Sequence, residues 1–334
     1  MRRILPLPLA AALLLTGCAD TANTNDTTES TGPNAARTSA AAEGTIDNCG
    51  VQISVEPPVE RAVALEQGAS DTLLMLGAGD QIAGVGHQKD NPPEGYETPN
   101  IIAQAIPTAE QIRAVDADFV YSPFALVWTA DSAGTREEWD RLGVRTYQSN
   151  VECQDYGDNK GKTTFDLLEK DITELGQIFG RESEATEVNE KLRGTVENAN
   201  QAPDGTTFVL IYSSIGGAPY VAGGPSIVTE MGNAVNMTNA FGDLNEEWPQ
   251  VSWEAVAEAN PDVIILADLP VRGEPGDTWQ EKAETLKTTP GTKNLQAVKD
   301  ERYIIINGVT TSPSARSYQG LQQISDAIGN GIAG

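Results

Sequence analysis

The segment Pro107-Thr108-Ala109-Glu110, followed by Ile112 and Val115 and closed by Asp118-Phe119-Val120, has a counterpart in the second half of the chain. There Val251-Ser252-Trp253-Glu254 is followed by Val256 and Ala259 and closed by Asp262-Val263-Ile264. In each copy a hydroxyl residue, Thr108 or Ser252, can cap a helix N-terminus, a glutamate follows in the first turn, and apolar residues recur at helical spacing. An aspartate then opens a run of strand-forming residues. Glutamate and aspartate stand eight positions apart both times, at 110 and 118 and at 254 and 262. A helix-then-strand unit repeated this way predicts two similar α/β lobes, each carrying one equivalent glutamate.

Outward from these units the alternation continues. Arg61 to Leu65, Gln81 to Gly86, Asp118 to Ser122 and Arg145 to Ser149 read as strands, separated by helical patterns at Ala69 to Leu76, Ala109 to Val115 and Thr135 to Leu142. Thr207 to Tyr212, Val263 to Ala267 and Tyr303 to Asn307 read as strands of the second half. Helices are expected there at Ile227 to Met231, Trp253 to Ala259 and Ala315 to Ile328. Strands that alternate with helices imply parallel sheets. Between the halves, Thr163 and Asp166 form a capping-box pattern, and Phe165, Leu168, Ile172, Leu175 and Phe179 recur at helical spacing up to Gly180. One amphipathic helix of roughly 25 Å is expected there. The expected fold is two Rossmann-like α/β lobes, residues 46–162 and 181–334, joined by a long connecting helix, 163–180, with a ligand cleft between them. A stiff connector predicts modest lobe movement rather than wide hinge closure.

The N-terminus is of another kind. Met1-Arg2-Arg3 and the apolar run Ile4 to Leu15 are too short for the ~20 residues of a spanning helix and read as a signal peptide, residues 1–17. The run ends in Leu15-Thr16-Gly17-Cys18, which looks like a bacterial lipobox with Cys18 as the lipidated residue. Ala19 to Thr45 contains no aromatic residue and no Leu, Ile, Val or Met, so residues 18–45 are expected to form a lipid-anchored, disordered tether. An exported chain meets an oxidising compartment, so Cys49 and Cys153 are expected to pair. With 48 acidic against 22 basic residues the formal charge is −26, which excludes nucleic acid as a partner and leaves the lipid anchor as the means of membrane association.

These features together resemble the class III substrate-binding lipoproteins of ABC importers, the group serving ferric siderophores, haem and cobalamin. The resemblance runs from about Cys49 to Ile328. It rests on Arg61 to Ala69 with Leu73 to Gly77, on Glu110 to Val120, on Trp248-Pro249-Gln250-Val251-Ser252-Trp253-Glu254 to Asp262, and on Leu295 to Ile305. It implies a bilobal binding protein outside the cytoplasm, anchored to the bacterial cell membrane, that delivers a bulky iron chelate, a ferric siderophore first, to a permease dimer. The alternatives are a haem- or cobalamin-type ligand, or a lipoprotein enzyme or sensor on the same fold. The resemblance also implies that Glu110 and Glu254 dock into arginine pockets of the permease. Read alone, first-turn acids simply offset the helix macrodipole.

In open α/β sheets the ligand crevice lies beyond the carboxyl ends of the strands. That rule nominates Glu66, Gln67, His87, Gln88, Phe124 and Trp128 from the first lobe. From the second it nominates Ser213, Ser214, Tyr220, Trp248, Pro270, Arg272, Thr310 and Arg316. Aromatic walls suit a bulky organic ligand, and Arg272 and Arg316 are candidates to pair with its anionic oxygens. Gly216-Gly217 and Gly223-Gly224, around Tyr220, are expected to form a flexible loop rather than a phosphate cradle, because no Lys-Ser/Thr follows them. His87 is the one histidine, which argues against zinc or manganese capture, and no resident cofactor is expected. There is no Gly-x-Ser-x-Gly, His-Glu-x-x-His or Walker pattern, so catalysis is not expected. Radiolabelled palmitate fed to cells expressing the full chain should enter the wild-type protein and not Cys18→Ser; equal labelling of both would exclude Cys18 as the anchor.

Overall fold

The computed structural model describes residues 44–332; the expected signal peptide, Cys18 and the tether up to residue 43 lie outside the described residues. The described residues thus begin just before the expected end of the tether at residue 45. Thr45 opens β1 (Thr45–Asn48), which pairs antiparallel with β2 (Val51–Ser54). Ile46 and Ile53 face each other across this hairpin and are both buried. Two apolar residues in two four-residue strands are too weak a pattern to stand out beside the polar segment preceding them. Cys49, in the turn between the strands, is joined to Cys153 by a disulfide, as expected.

The first lobe runs β3 (Ala62–Ala64), α1 (Gln67–Met75), β4 (Ile82–Gly86), β5 (Ile101–Ala103), α2 (Ala109–Arg113), β6 (Phe119–Ser122), α3 (Arg136–Arg141) and β7 (Arg145–Gln148). Its sheet is parallel in the order β5-β4-β3-β6-β7. The chain starts at the centre, winds to one edge and then crosses to the other. That reversal creates a switch point at the carboxyl ends of β3 and β6. All four residues of β6 are buried, as expected of a strand covered on both faces.

From there α4 (Thr164–Phe179) and α5 (Glu182–Glu197) lead to the second lobe. The Thr163–Asp166 capping box is formed, and Gly180 ends α4 with a left-handed φ of 65°. The second lobe contains β8 (Thr207–Ser213), β9 (Tyr220–Val221), α6 (Ile227–Ala234), β10 (Thr238–Asn239), α7 (Trp253–Ala259), β11 (Val263–Asp268), α8 (Trp279–Thr288), α9 (Gln296–Lys299), β12 (Tyr303–Asn307) and α10 (Ser317–Gly329). Strands β10-β8-β11-β12 form a parallel sheet, and β9 adds antiparallel to β8. The switch point here lies between β8 and β11. Helix α8, closed by a Thr278–Glu281 capping box, was not read from the sequence.

The repeated aspartates do the same work in both lobes. Asp118 accepts hydrogen bonds from the amides of Glu60 and Arg61 at the start of β3, and Asp262 accepts from the amide and hydroxyl of Thr207 at the start of β8.

One apolar core runs through both lobes. It passes from Ala64, Phe119 and Tyr121, through Phe165, Leu168, Ile172, Leu175 and Phe179 of α4, to Phe208, Leu210, Ile304 and Leu321. Each of those helix side chains contributes roughly 1.5–3 kcal/mol by leaving water. Polar ties add to it. Arg316, at the start of α10, donates to Asp71 of α1 at 2.9 Å, with both side chains buried. The Ala315 amide donates to the Thr72 hydroxyl, and Asn307 donates to Asp90 at 2.6 Å. Removing one member of a buried pair leaves an uncompensated charge, whereas replacing both by apolar groups is often tolerated. Arg316→Met should therefore cost roughly 3–5 kcal/mol in urea unfolding, and Asp71→Leu with Arg316→Met much less. A double variant as unstable as the sum of the single ones would show that the pair is not coupled.

Candidate ligand cleft

The carboxyl ends of the two sheets meet at a cavity of about 250 Å³. The first lobe contributes His87 and Lys89, which follow β4, together with Ile106, Phe124, Leu126 and Val127. The second contributes Tyr212 from the end of β8, then Glu247, Trp248, Thr311 and Ser312. A larger groove of about 670 Å³ lies between the β1–β2 hairpin and α4. Asp47, Asp158, Asp166, Glu169 and Glu174 line it, and none of its lining residues comes from the second lobe, so the interlobe cavity is the candidate site.

Its walls are mostly apolar, while its floor is ionic. The Lys89 ammonium contacts Glu66 at 2.5 Å, and the other Glu66 oxygen caps α1 by accepting from the Gly68 amide. Burial disfavours the Lys89 charge, but Glu66 outweighs it and holds the ammonium above its usual range. Arg272 lies over the Tyr212 ring, 5.3 Å from its centroid, and its guanidinium is gripped by Asp277, which raises its pKa. Tyr212 in turn packs against Trp248 at 4.9 Å between centroids. Burial, then Lys89, lowers the His87 pKa, so the ring is neutral at pH 7. His87 has a φ of 47°, unusual for a non-glycine residue, and its buried Nδ1 has no hydrogen-bond partner among the described residues. Burial, then the nearby Glu152 carboxyl, pushes Glu247 up to about 8.

Of the residues nominated from sequence, His87, Phe124 and Trp248 line the cavity, and Arg272 backs its Tyr212 wall. Gln67 is buried beneath it, accepting from the amides of Lys89 and Asp90 and donating to Asp71, so it shapes the floor rather than facing a ligand. Arg316 is likewise not available to anionic oxygens, because Asp71 and the Asn91 carbonyl occupy its guanidinium. Trp128 packs against the first lobe's own core and does not line the cavity, although its neighbour Val127 does. Ser213 and Tyr220 are ladder partners in β8 and β9. Glu110 and Glu254 are both exposed, one in the first turn of α2 and one in that of α7.

Tyr212, Lys89 and Glu247 were missed. Tyr212 lies in a strand that was correctly read, so the carboxyl-end rule applied one residue earlier would have found it. Lys89 and Glu247 adjoin nominated residues, but their burial has no local signature.

The segment around Gly223-Gly224 is not the flexible loop expected. The Gly223 amide donates to the Glu247 carbonyl and the Gly224 amide to that of Leu244. A Cβ on Gly223 would sit 1.9 Å from the Glu246 carbonyl oxygen. Two bare backbones thus meet directly and set the strand of chain that presents Glu247 and Trp248.

Comparison with known proteins agrees with this architecture. The model of the periplasmic binding protein family matches residues 63–309. The chain belongs to that family. A solved periplasmic binding protein from Veillonella parvula has the same fold, with a TM-score of 0.70, 21% identity, and coverage of 85% of this chain and 96% of that one. A structure described as an ABC-type Fe3+-hydroxamate transport system from Saccharomonospora viridis is similar at 26% identity and a TM-score of 0.68, covering 85% and 98%. The uncharacterized ABC transporter substrate-binding lipoprotein YvrC of Bacillus subtilis (strain 168) is 21% identical over 327 residues, 96% of this chain and 94% of that protein.

In this periplasmic binding protein the glycine contact sets the second wall of the cleft. Gly223→Ala should lower the thermal midpoint and make tryptophan fluorescence more accessible to acrylamide. Unchanged quenching and stability would refute a positioning role for Gly223.

Proposed function

We propose that this chain is the lipid-anchored, extracytoplasmic solute-binding component of an ABC importer, and that it carries a ferric siderophore in the interlobe cleft to its permease dimer. The observation that carries this reading is the placement of Glu110 and Glu254. They are exposed acids in the first turns of equivalent helices, one on each of two lobes whose strands end at a shared apolar cavity. Such a pair gives a permease two similar carboxylate contacts, each suited to bidentate pairing with arginine and to reversible release. The names of the relatives support the transport assignment, and the iron–hydroxamate description of one solved structure supports the ligand class.

In this reading Phe124, Trp248 and Tyr212 embrace the organic shell of the chelate, and the neutral His87 ring lines the same cavity. Iron travels as cargo within its chelate. The ligand is bound and released unchanged.

The test is uptake of radioiron presented as ferric chelate. Glu110→Ala with Glu254→Ala should reduce uptake at least tenfold while leaving the affinity of the purified protein within about twofold, because exposed acids that do not line the cleft contribute little to ligand binding. Full uptake by the double variant would overturn the docking role, and loss of affinity would move the two acids into the binding machinery.

A further inference from the structure

The polar groups around the cleft show an imbalance. Among the described residues, each cation at or beneath the cavity already has its own carboxylate: Lys89 has Glu66, Arg272 has Asp277 and Arg316 has Asp71. These three pairs are neutral units. Against them stands Glu247, which lines the cavity on a backbone clamped by Gly223 and has no cationic partner of its own. Near it is Glu152, whose carboxylate accepts from the Ala125 amide at 2.8 Å.

We infer that the cleft selects ferric chelates of zero or positive net charge, with Glu247 as the specificity-determining residue. The inference rests on the ferric-chelate reading above. An anionic chelate entering this cavity would have to break an existing pair or remain without a counter-charge, in a protein whose formal charge is −26. An electroneutral chelate meets apolar walls and a Glu247 carboxyl able to donate a hydrogen bond to one of its oxygens. A chelate with a pendant ammonium meets the same carboxyl in its ionised form.

The two cases differ in pH dependence. The charged and titratable groups around Glu247 are Glu152, Glu66, Lys89, His87, Tyr212 and Arg272, and burial pushes Glu247 itself up to about 8. Burial raises Glu152 as well. In the free protein Glu247 holds its proton below about pH 8. An ammonium favours the carboxylate, so binding expels that proton. The preference for the ammonium-bearing chelate over its neutral counterpart should therefore rise with pH up to about 8, by at most about tenfold per pH unit, and then level off.

Tryptophan quenching titrations with three probes test this: a ferric trihydroxamate with a pendant primary amine, the same chelate N-acetylated, and a trianionic ferric tricatecholate. Wild type should bind both trihydroxamates at least about tenfold more tightly than the tricatecholate. The pH-dependent preference for the amine form should be lost or sharply reduced in Glu247→Gln, which keeps the side chain's shape. Tighter or equal binding of the tricatecholate would overturn the charge selection. A wild-type pH profile in Glu247→Gln, with the variant shown to be folded by its thermal midpoint, would overturn the role of Glu247. Binding of none of the three would instead overturn the ferric-chelate reading, and this inference with it.

Discussion

The apolar face of α4 is the constraint on which the rest of the structure depends. Phe165, Leu168, Ile172, Leu175 and Phe179 are buried in a core that also includes Tyr121 and Phe119 of one sheet and Phe208 and Leu210 of the other. A connector buried over its length against both lobes behaves unlike a linker. Displacing one lobe relative to the other would expose that shared surface, at a cost that scales with the area uncovered. The strand ends of the two sheets consequently face each other across the cleft. Close-packed interiors resist continuous deformation, which fits a binding site built for small adjustments rather than wide closure.

The second constraint is electrostatic and works at the cleft floor. Buried charges are tolerated only when paired and hydrogen-bonded, and the floor meets that requirement group by group. Arg316 and Asp71 join the lobes, Lys89 and Glu66 join the segment after β4 to the start of α1, and Asp277 holds Arg272 against Tyr212. The arginines expected to grip a ligand are thus part of the scaffold. What faces the cavity is largely apolar; beside the paired Lys89, two of its ionisable groups, His87 and Glu247, are uncharged at neutral pH. Specificity in such a site depends less on attraction between full charges than on which charges the site fails to compensate.

Much of the architecture was legible in the chain because it depends on local pattern. The helix-strand unit around Glu110 and its copy around Glu254, the capping box at Thr163 and the period of α4 all express themselves within a few residues. Short elements were less visible. The β1–β2 hairpin, β5, β9 and β10 have two to four residues each, and only their partners make them strands. The cleft was partly legible: His87, Phe124 and Trp248 follow from the rule that ligands bind beyond strand ends. Gln67, Trp128 and Arg316 satisfy the same rule in sequence, yet their side chains turn into the protein.

By itself, the sequence determined two α/β halves, the helix between them and a first-turn glutamate on each half, since each follows from periodicity and capping along a short stretch, while the pairing of Cys49 with Cys153 was expected from the cysteine count and an oxidising compartment. Only the tertiary structure decided which cations were already neutralised, which aromatic rings faced the cavity, and that Gly223 and Gly224 clamp a wall instead of loosening a loop. Those outcomes depend on partners far apart in the chain, such as residues 71 and 316 or 223 and 247. Burial and charge are properties of what surrounds a residue, and no local pattern contains its surroundings.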